Sequence, residues 1–276
     1  LCGKCSSVCP VGVEGDKLRI AQRSTRKYGL TPDYTSIDEK MFIPDGSGKI
    51  LYFAGCMTHL TPMIKRSLVS ILDKVGEDYT IMDENGGICC GRPMLMAGRR
   101  DAAQQMIEKN TSIIMASGAT TLLLSCPICY RIFKENYKLD GIEILHHTEY
   151  IQRLISQKSI DISKSDIKFA YHDPCELGRG CGIYEEPREI IRAAGELLEG
   201  EKSGAESICC GGSLGSLSLG DEQRKRLIEN ALNNLTVASP DAIVTACPLC
   251  KNTFKRHSAI PVIDIAEVAL QAIEKK

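Results

Sequence analysis

The residues of this chain that could do chemistry are its cysteines. There are 14 of them in 276 residues. That is too few for the disulfide scaffold of a short secreted protein and more than a single thiol nucleophile requires. Metal ligation is the remaining interpretation. All but one of the cysteines fall into three sets: Cys2, Cys5 and Cys9; Cys56, Cys89, Cys90, Cys126 and Cys129; and Cys175, Cys209, Cys210, Cys247 and Cys250.

The second and third sets are two copies of one pattern. In each copy a single cysteine is followed after 33 or 34 positions by an adjacent pair, and later by a C-P-x-C motif. The surrounding residues repeat as well. ICCG occurs at 88–91 and at 208–211, and both C-P-x-C motifs are followed by x3-F-K. We interpret the repetition as an internal duplication.

The duplication divides the chain into three predicted parts. Residues 1–48 contain the opening cysteines and a linker, residues 49–158 form the first repeat, and residues 159–276 form the second. The polar stretch 156–168 is the natural joint between the repeats. The remaining cysteine, Cys181, has no counterpart in the first repeat, where the matching residue is a proline, and we interpret it as an ordinary thiol.

Five thiols in each repeat exceed the four ligands of a structural zinc site. Two adjacent cysteines can bind one small ion only with a strained backbone, whereas a cluster of several iron atoms offers each thiolate a separate position. Iron–sulfur ligation is therefore the favoured interpretation for both repeats. Zinc in one repeat, buried structural thiols and a disulfide within an adjacent pair are the alternatives.

The opening cysteines match part of the bacterial ferredoxin motif. That motif runs C-x2-C-x2-C-x3-C-P, and its last cysteine binds the neighbouring cluster. Cys2-x2-Cys5-x3-Cys9-Pro matches the last three of its cysteines. We therefore expect the chain to begin inside a longer sequence. A ferredoxin-type [4Fe-4S] cluster would be incomplete in the present chain.

Charge and hydropathy argue against two kinds of partner. The chain has 34 basic and 35 acidic residues, a net charge of −1, so no basic surface for nucleic acid is expected. The longest apolar run, 50–57, has eight residues, far fewer than the ~20 that span a bilayer. We expect a cytoplasmic protein that reaches the cytoplasmic membrane, if at all, through a partner subunit.

Short buried strands that alternate with helices are predicted to position the cysteines. This order is typical of parallel sheets with crossover helices, so the predicted class is α/β with two tandem domains built on small parallel sheets. Four cysteines follow predicted strands directly, at the sheet edge where ligands gather. The predicted strands are 50–54, 79–82, 122–124, 142–145, 168–171, 243–246 and 262–263, and the predicted helices are 61–76, 100–117 and 221–238.

The two cysteine patterns resemble a known family. C-x32-C-C-G…C-P-I-C and its second copy, C-x33-C-C-G…C-P-L-C, are similar to the duplicated cysteine-rich CCG domain. That domain occurs in the catalytic subunit of heterodisulfide reductase and in iron–sulfur subunits of glycerol-3-phosphate, glycolate and lactate dehydrogenases. The resemblance covers about residues 49–275. The ferredoxin-like tail and the H-D-P-C sequence at 172–175 look closest to the membrane-type heterodisulfide reductase.

The resemblance implies a cofactor and a reaction. In the family each five-cysteine set holds a noncubane [4Fe-4S] cluster, and a disulfide is split between the two clusters by single-electron steps. Carried over to this chain, one cluster would be held by the set from Cys56 to Cys129 and the other by the set from Cys175 to Cys250. A redox partner subunit is also implied, namely a flavoprotein, a ferredoxin-type subunit or a cytochrome b.

Several other residues are candidates for the site. Arg92 and Arg179 could bind an anionic group of the substrate, and His172 could donate a proton or a hydrogen bond to a cluster sulfur. The alternatives are surface arginines and a histidine satisfied at a strand end. The glycines after the cysteine pairs would let the backbone approach a cluster closely: Gly91, Gly211 and Gly212.

Three functions are compatible with these features. The first is an iron–sulfur enzyme that passes electrons from ferredoxin-type clusters to paired noncubane clusters and reduces a disulfide. The second is an electron-transfer subunit of a flavin-dependent hydroxy-acid or glycerol-3-phosphate dehydrogenase that delivers electrons to quinone. The third is a zinc-stabilised module without redox chemistry. Two complete ligand sets favour the first, because splitting a disulfide requires two one-electron donors.

Overall fold

Each repeat is built on its own parallel sheet. The structure is a computed structural model that describes residues 2–25, 48–84, 86–212 and 219–274. The strands of the first sheet are β1 (Ile50–Phe53), β2 (Tyr79–Ile81), β3 (Thr121–Leu124) and β4 (Glu143–His146). Those of the second are β5 (Lys168–His172), β6 (Glu196–Leu198), β7 (Ala242–Thr245) and β8 (Val262–Asp264).

The two sheets have the same topology. Their strand orders are β2-β1-β3-β4 and β6-β5-β7-β8, and every paired strand is parallel. In each sheet the second strand of the repeat pairs with one edge of the first strand, and the third strand pairs with its other edge. This places a switch point between β1 and β3, and another between β5 and β7, where open α/β sheets form their ligand sites. The predicted α/β class with two small parallel sheets is confirmed.

Helices connect the strands and cover the sheets. None of the helices in the described ranges combines the length and the apolar character that a bilayer crossing requires. The helices are α1 (Lys4–Ser7), α2 (Gly15–Ser24), α3 (Cys56–His59), α4 (Pro62–Val75), α5 (Arg92–Met96), α6 (Arg100–Ala116), α7 (Pro127–Asn136), α8 (His147–Ser156), α9 (Gly178–Cys181), α10 (Glu185–Ala194), α11 (Asp221–Thr236), α12 (Pro248–Lys255) and α13 (Ile265–Glu274).

The ends of α4 follow the sequence signals. Pro62 lies in its first turn, and Gly76 ends it with φ 72° and ψ 30°, a left-handed conformation that glycine adopts readily. Thr61 occupies the N-cap position, but its hydroxyl does not accept a hydrogen bond from the helix. It donates instead to the carbonyl of Met57 at 3.1 Å, because the preceding turn α3 leaves carbonyl groups without helical partners.

One apolar core runs through both repeats. It includes Phe53 and Leu123 of the first sheet and Tyr171 and Val244 of the second. Helices α4, α8, α10 and α13 pack against one another between the sheets, and their apolar faces join the two repeats. A second apolar cluster, which includes Phe254, lies beneath α11 and α12.

Candidate metal centres

Four cysteines lie where neighbouring parallel strands end. Cys56 follows β1 and Cys126 follows β3, which pair with each other in the first sheet. Cys175 and Cys247 follow β5 and β7, which pair in the same way in the second. Each C-P-x-C motif begins a helix, with its first cysteine at the N-cap and its proline in the first turn. The second cysteine of each motif therefore lies in the first helical turn, where hydrogen bonds with neighbouring cysteines raise its pKa.

The thiols of the first repeat form a connected group. Hydrogen bonds join Cys126 to Cys129, Cys129 to Cys90, and Cys90 to Cys89. These four residues are buried, while Cys56 is half-buried and near enough to Cys90 and Cys126 to interact electrostatically. Hydrogen bonds from Cys129 and Cys89 hold the pKa of Cys90 well below its ordinary value. Cys90 therefore lies at the centre of the group, between Cys129 and Cys89.

The second repeat has a similar network of contacts, in which the leading cysteine, Cys175, is also hydrogen-bonded. The thiol of Cys250 donates to the sulfur of Cys210 at 3.1 Å, and further hydrogen bonds join Cys247 to Cys250 and Cys209 to Cys210 and to Cys175. Hydrogen bonds from Cys209 and Cys250 hold the pKa of Cys210 well below its ordinary value. The pKa of Cys209 is lowered as well, first by its hydrogen bonds with Cys175 and Cys2, so both cysteines of this adjacent pair lie at the centre of the second group.

The opening cysteines reach the second repeat through Cys2. A hydrogen bond between the thiol of Cys2 and the sulfur of Cys209 raises the pKa of Cys2. Cys5 is exposed, and the sulfur of Cys9 accepts a hydrogen bond from the Val13 amide at 3.2 Å. Among the described residues, Cys2 is the one member of the opening set that is hydrogen-bonded to a sulfur of either repeat.

Two of the three predicted glycines bring backbone amides to sulfur. Gly91 and Gly211 each donate N–H to the first cysteine of the pair before them, at 3.5 Å and 3.4 Å. Both have positive φ, 84° and 75°. Gly212 makes room for a helix, since a Cβ there would lie 2.2 Å from Oγ1 of Thr253 on α12.

Two residues that shape the first thiol group were not predicted from the sequence. Gly55 lies directly before Cys56, and a Cβ at this position would come within 3.0 Å of the Cys129 sulfur. The buried carboxylate of Asp83 accepts hydrogen bonds from the amides of Ala54 at 2.8 Å and Gly55 at 2.7 Å. Together they fix the turn that presents Cys56. The glycine before the cysteine was a visible signal, whereas Asp83 is distant in sequence and carried none.

Arg92 lies in an ion-pair network between the repeats. Its guanidinium contacts Glu135 at 3.1 Å and Glu176 at 3.2 Å, and Arg131 contacts the same two carboxylates. Glu176 belongs to the second repeat, where it follows Cys175 directly. The network therefore connects residues near the first thiol group to residues near the second. The Arg92 charge also helps to lower the pKa of Cys90. Arg92 and Arg131 border an open cavity of about 540 Å³.

Arg179 connects the opening segment to the second thiol group. Its Nε donates to the carbonyl of Cys2 at 2.9 Å. Its Nη1 donates to the carbonyls of Ala205 at 3.0 Å and Ser207 at 2.9 Å. The last two residues lie in the segment that leads into the Cys209–Cys210 pair. In this structure the side chain thus holds backbone carbonyls around the second group.

His172 is engaged through both ring nitrogens. Nε2 lies 3.1 Å from the carbonyl of Ile208 and Nδ1 lies 3.3 Å from Oγ1 of Thr245. Burial lowers the pKa of His172 to about 4, so the ring is neutral near pH 7. The contact with Ile208 places this imidazole beside the backbone that enters the second cysteine pair.

The comparison with protein families matches both repeats. The family pattern of the cysteine-rich domain called CCG fits residues 50–134 and 169–255, together more than half of the chain. The chain belongs to the CCG family. The two matched ranges contain the strands β1 to β3 and β5 to β7 and all ten cysteines of the two thiol groups.

Three curated relatives share this CCG protein's sequence over most of its length. The EtfAB:quinone oxidoreductase of Syntrophomonas wolfei is 30% identical, over 81% of this chain and 34% of its own. A subunit of the fumarate reductase (CoM/CoB) of Methanothermobacter marburgensis is 30% identical, over 91% and 55%. A subunit of the dihydromethanophenazine:CoB–CoM heterodisulfide reductase of Methanosarcina acetivorans is 26% identical, over 99% and 76%. The chain thus spans about a third and about half of the first two relatives.

Proposed function

We propose that this CCG protein is the disulfide-reducing part of an iron–sulfur oxidoreductase of the heterodisulfide reductase type. Electrons would pass from ferredoxin-type clusters to two noncubane [4Fe-4S] clusters, one in each repeat, and then to a disulfide. The observation that carries the proposal is the presence of two complete five-cysteine groups at the carboxyl edges of two equivalent sheets. The similarity to the heterodisulfide reductase of Methanosarcina acetivorans supports it.

The chemistry of the donor set fits iron–sulfur ligation. Cysteine thiolates are the usual ligands of such clusters, and each group is centred on a cysteine whose pKa is lowered. The sulfurs form a connected chain, which suits a group whose several iron atoms bind successive thiolates. Bound there, two such clusters would each supply one electron to a disulfide.

A second candidate function is a relay without disulfide chemistry. The EtfAB:quinone oxidoreductase relative is 30% identical over 81% of this chain, and its name describes electron delivery to quinone. The same ten cysteines would then hold clusters that only pass electrons between a flavoprotein partner and quinone. In either case we propose that the chain works with a redox partner subunit.

The experiment that tests the proposal combines cluster content with turnover. Anaerobically purified protein should contain about eight iron and about eight sulfide per chain from the two CCG sites, if each holds a four-iron cluster. Cys90→Ser and Cys210→Ser should each lose about half of this content, because each removes a central cysteine of one group. Either variant should abolish dye-linked disulfide reduction, which requires both electrons.

Cys181→Ser is the matched control. Cys181 lies outside the two family-matched cysteine groups, on α9, and burial raises its pKa to about 12. Its variant should keep both cluster content and turnover. Stoichiometric zinc without sulfide would contradict the proposal at the level of the cofactor. Full cluster content with quinone-linked activity and no disulfide turnover in the wild type would establish the relay instead.

A further inference from the structure

A group of polar side chains is buried between the repeats. His147 begins α8 in the first repeat and Asp264 ends β8 in the second. His147 Nε2 lies 3.1 Å from Asp264 Oδ1, and neither side chain has exposed area. In the part of the chain that the structure describes, both ring nitrogens of His147, Oδ2 of Asp264 and the hydroxyl of Tyr171 have no hydrogen-bond partner. The histidine and the carboxylate are close but not aligned for a hydrogen bond.

Such a group is costly in a dry interior. Each buried donor or acceptor without a partner destabilises a protein by about 1–3 kcal/mol. Native proteins therefore satisfy these atoms with protein groups or with ordered water. A buried water needs two to four polar partners, and His147, Asp264 and Tyr171 together offer that number. The group has the composition of a hydrated site rather than of an apolar contact.

The group lies between the two cysteine sets. His147 follows β4, whose end pairs with the end of β3, the strand that leads into Cys126. Asp264 pairs with the end of β7, the strand that leads into Cys247. The contact between His147 and Asp264 thus joins the carboxyl edges of the two sheets on the side where both C-P-x-C motifs begin.

Two tyrosines extend the group towards the sulfurs. Burial raises the pKa of Tyr52 and of Tyr171, and nearby Asp264 contributes to both shifts. Cys126 lies within electrostatic range of Tyr52, and Cys250 lies within the same range of Tyr171. Both hydroxyls therefore keep their protons near pH 7, and that of Tyr52 bonds the hydroxyl of Ser125 at 2.8 Å, one residue before Cys126.

We propose that His147, Asp264 and Tyr171 hold ordered water and act as a buried proton donor for the substrate disulfide. The inference rests on the proposed function. Reduction breaks one S–S bond, consumes two electrons from the iron–sulfur clusters and two protons, and leaves two thiols. The imidazole of His147 is the proton-transferring group, and Asp264 Oδ1 lies 3.1 Å from its Nε2. The neighbouring His146 also has a ring nitrogen without a partner, but burial holds its pKa well below the ordinary value, so it is the weaker proton carrier of the two.

The other charged or titratable groups around this site each have at least one polar or ring contact. His146, whose ring centroid is 4.3 Å from that of His147, bonds Thr148 at 2.9 Å. Lys251 and Glu267 form a buried ion pair, and the Arg188 guanidinium lies 5.1 Å from the centre of the Tyr171 ring. Asp264 Oδ1 accepts from the Ala266 amide at 3.0 Å, so the atoms left free to hold water are Asp264 Oδ2 and the ring nitrogens of His147.

The first test is the disulfide turnover of His147→Gln and Asp264→Asn. Each should lower kcat about 100-fold, the usual contribution of a positioned acid, with KM, iron content and dye-driven cluster reduction unchanged. The solvent deuterium isotope effect on kcat should increase, because proton delivery becomes slower. His257→Gln, which changes an exposed histidine, is the matched control and should match the wild type in every measurement.

The second test does not depend on turnover. A crystal structure of the cluster-loaded protein should contain a water within hydrogen-bond distance of His147 and of Asp264 or Tyr171. Tyr171→Phe should then be no more stable to heat than the wild type, since it removes a hydroxyl that has a water partner. A dry site, together with a more stable Tyr171→Phe, would overturn the hydrated donor.

The outcomes separate this inference from the proposed function. Normal disulfide turnover in both His147→Gln and Asp264→Asn would overturn the proton donor and leave the proposed function intact. Reduced turnover with loss of iron would also overturn it, because the residues would then be structural. A cluster-loaded wild type that reduces no disulfide would overturn the proposed function and the donor role with it.

Discussion

Gly55 sets the space available to the first thiol group. Its backbone has φ 84° and ψ 149°, a region that glycine alone adopts without strain. A Cβ would lie 3.0 Å from the sulfur of Cys129 and 3.5 Å from the Cβ of Cys126. The matching position in the second repeat is Pro174. The two thiol groups are therefore alike in their cysteines and different in the turn that precedes the first of them.

Gly55→Ala should damage the first centre selectively. The strained backbone should cost about 1–3 kcal/mol, and the new methyl group should displace Cys129, so about half of the iron should be lost. The measurement is iron and sulfide content alongside thermal unfolding. Gly76→Ala is the control, because Gly76 also has positive φ but a Cβ there would meet no atom within 4 Å. Full iron content in Gly55→Ala would show that the turn tolerates a side chain.

Among contacts between secondary-structure elements, Arg188 connects α10 to the end of β5. It donates to both carboxylate oxygens of Asp173 at 2.7 Å and 2.8 Å, and Nε donates to Glu199 at 2.7 Å. Asp173 also accepts from the Gly204 amide at 2.7 Å. The pair is buried and bidentate, and it stands two residues before Cys175. Helix α10 thereby holds the strand end that presents the second thiol group.

Arg188→Met should destabilise the protein strongly. It would leave the Asp173 carboxylate buried without its main partner, which typically costs about 3–5 kcal/mol. Urea unfolding of the cluster-loaded protein measures the loss. Arg192→Met on the same helix breaks an exposed pair with Glu185 and should cost less than about 1 kcal/mol. Equal losses in the two variants would mean that the Asp173 pair contributes no more than a surface contact.

The sequence predicted the elements that carry strong local signals. The strands β1, β3, β5 and β7 are short apolar runs that lead into cysteines, and α4 has a proline at its start and a glycine at its end. The edge strand β6 was not predicted, because its three residues are half-buried or exposed and do not form a recognisable run of apolar side chains. The His147–Asp264 contact could not be predicted from the sequence either, since residues 117 positions apart meet only through the packing of the repeats.

The same limit applies to the roles of individual residues. The duplicated spacing of the cysteines was enough to predict the two thiol groups, which the structure brings together. Arg179 and Arg92 were selected for their charge, yet their partners are set by folding. One of them bonds backbone carbonyls and the other bonds carboxylates from both repeats.

At the scale of the whole molecule, the opening segment contacts both repeats. Arg23 of α2 donates to the carbonyl of Met96 in the first repeat at 3.0 Å. Lys4 of α1 donates to the carbonyl of Glu206 in the second, next to the carbonyls held by Arg179. The thiol of Cys2 meets Cys209 there. The opening segment therefore approaches the thiols of the second repeat, which makes the duplicated molecule asymmetric.

Arg179→Ala should release the opening segment from the second repeat. The variant loses three hydrogen bonds to carbonyls, from Cys2, Ala205 and Ser207, so amide hydrogen exchange over 2–9 and 203–208 should become faster. Exchange in β5 and β7 should not change, and Arg226→Ala, on the exposed face of α11, should leave all of these regions as they are. Unchanged exchange in Arg179→Ala, with a raised KM for an anionic disulfide, would instead assign this arginine to substrate binding. The measurement thus decides between a structural role and substrate binding. A side chain that holds backbone carbonyls in place protects nearby amides from exchange, whereas a side chain that only binds substrate does not.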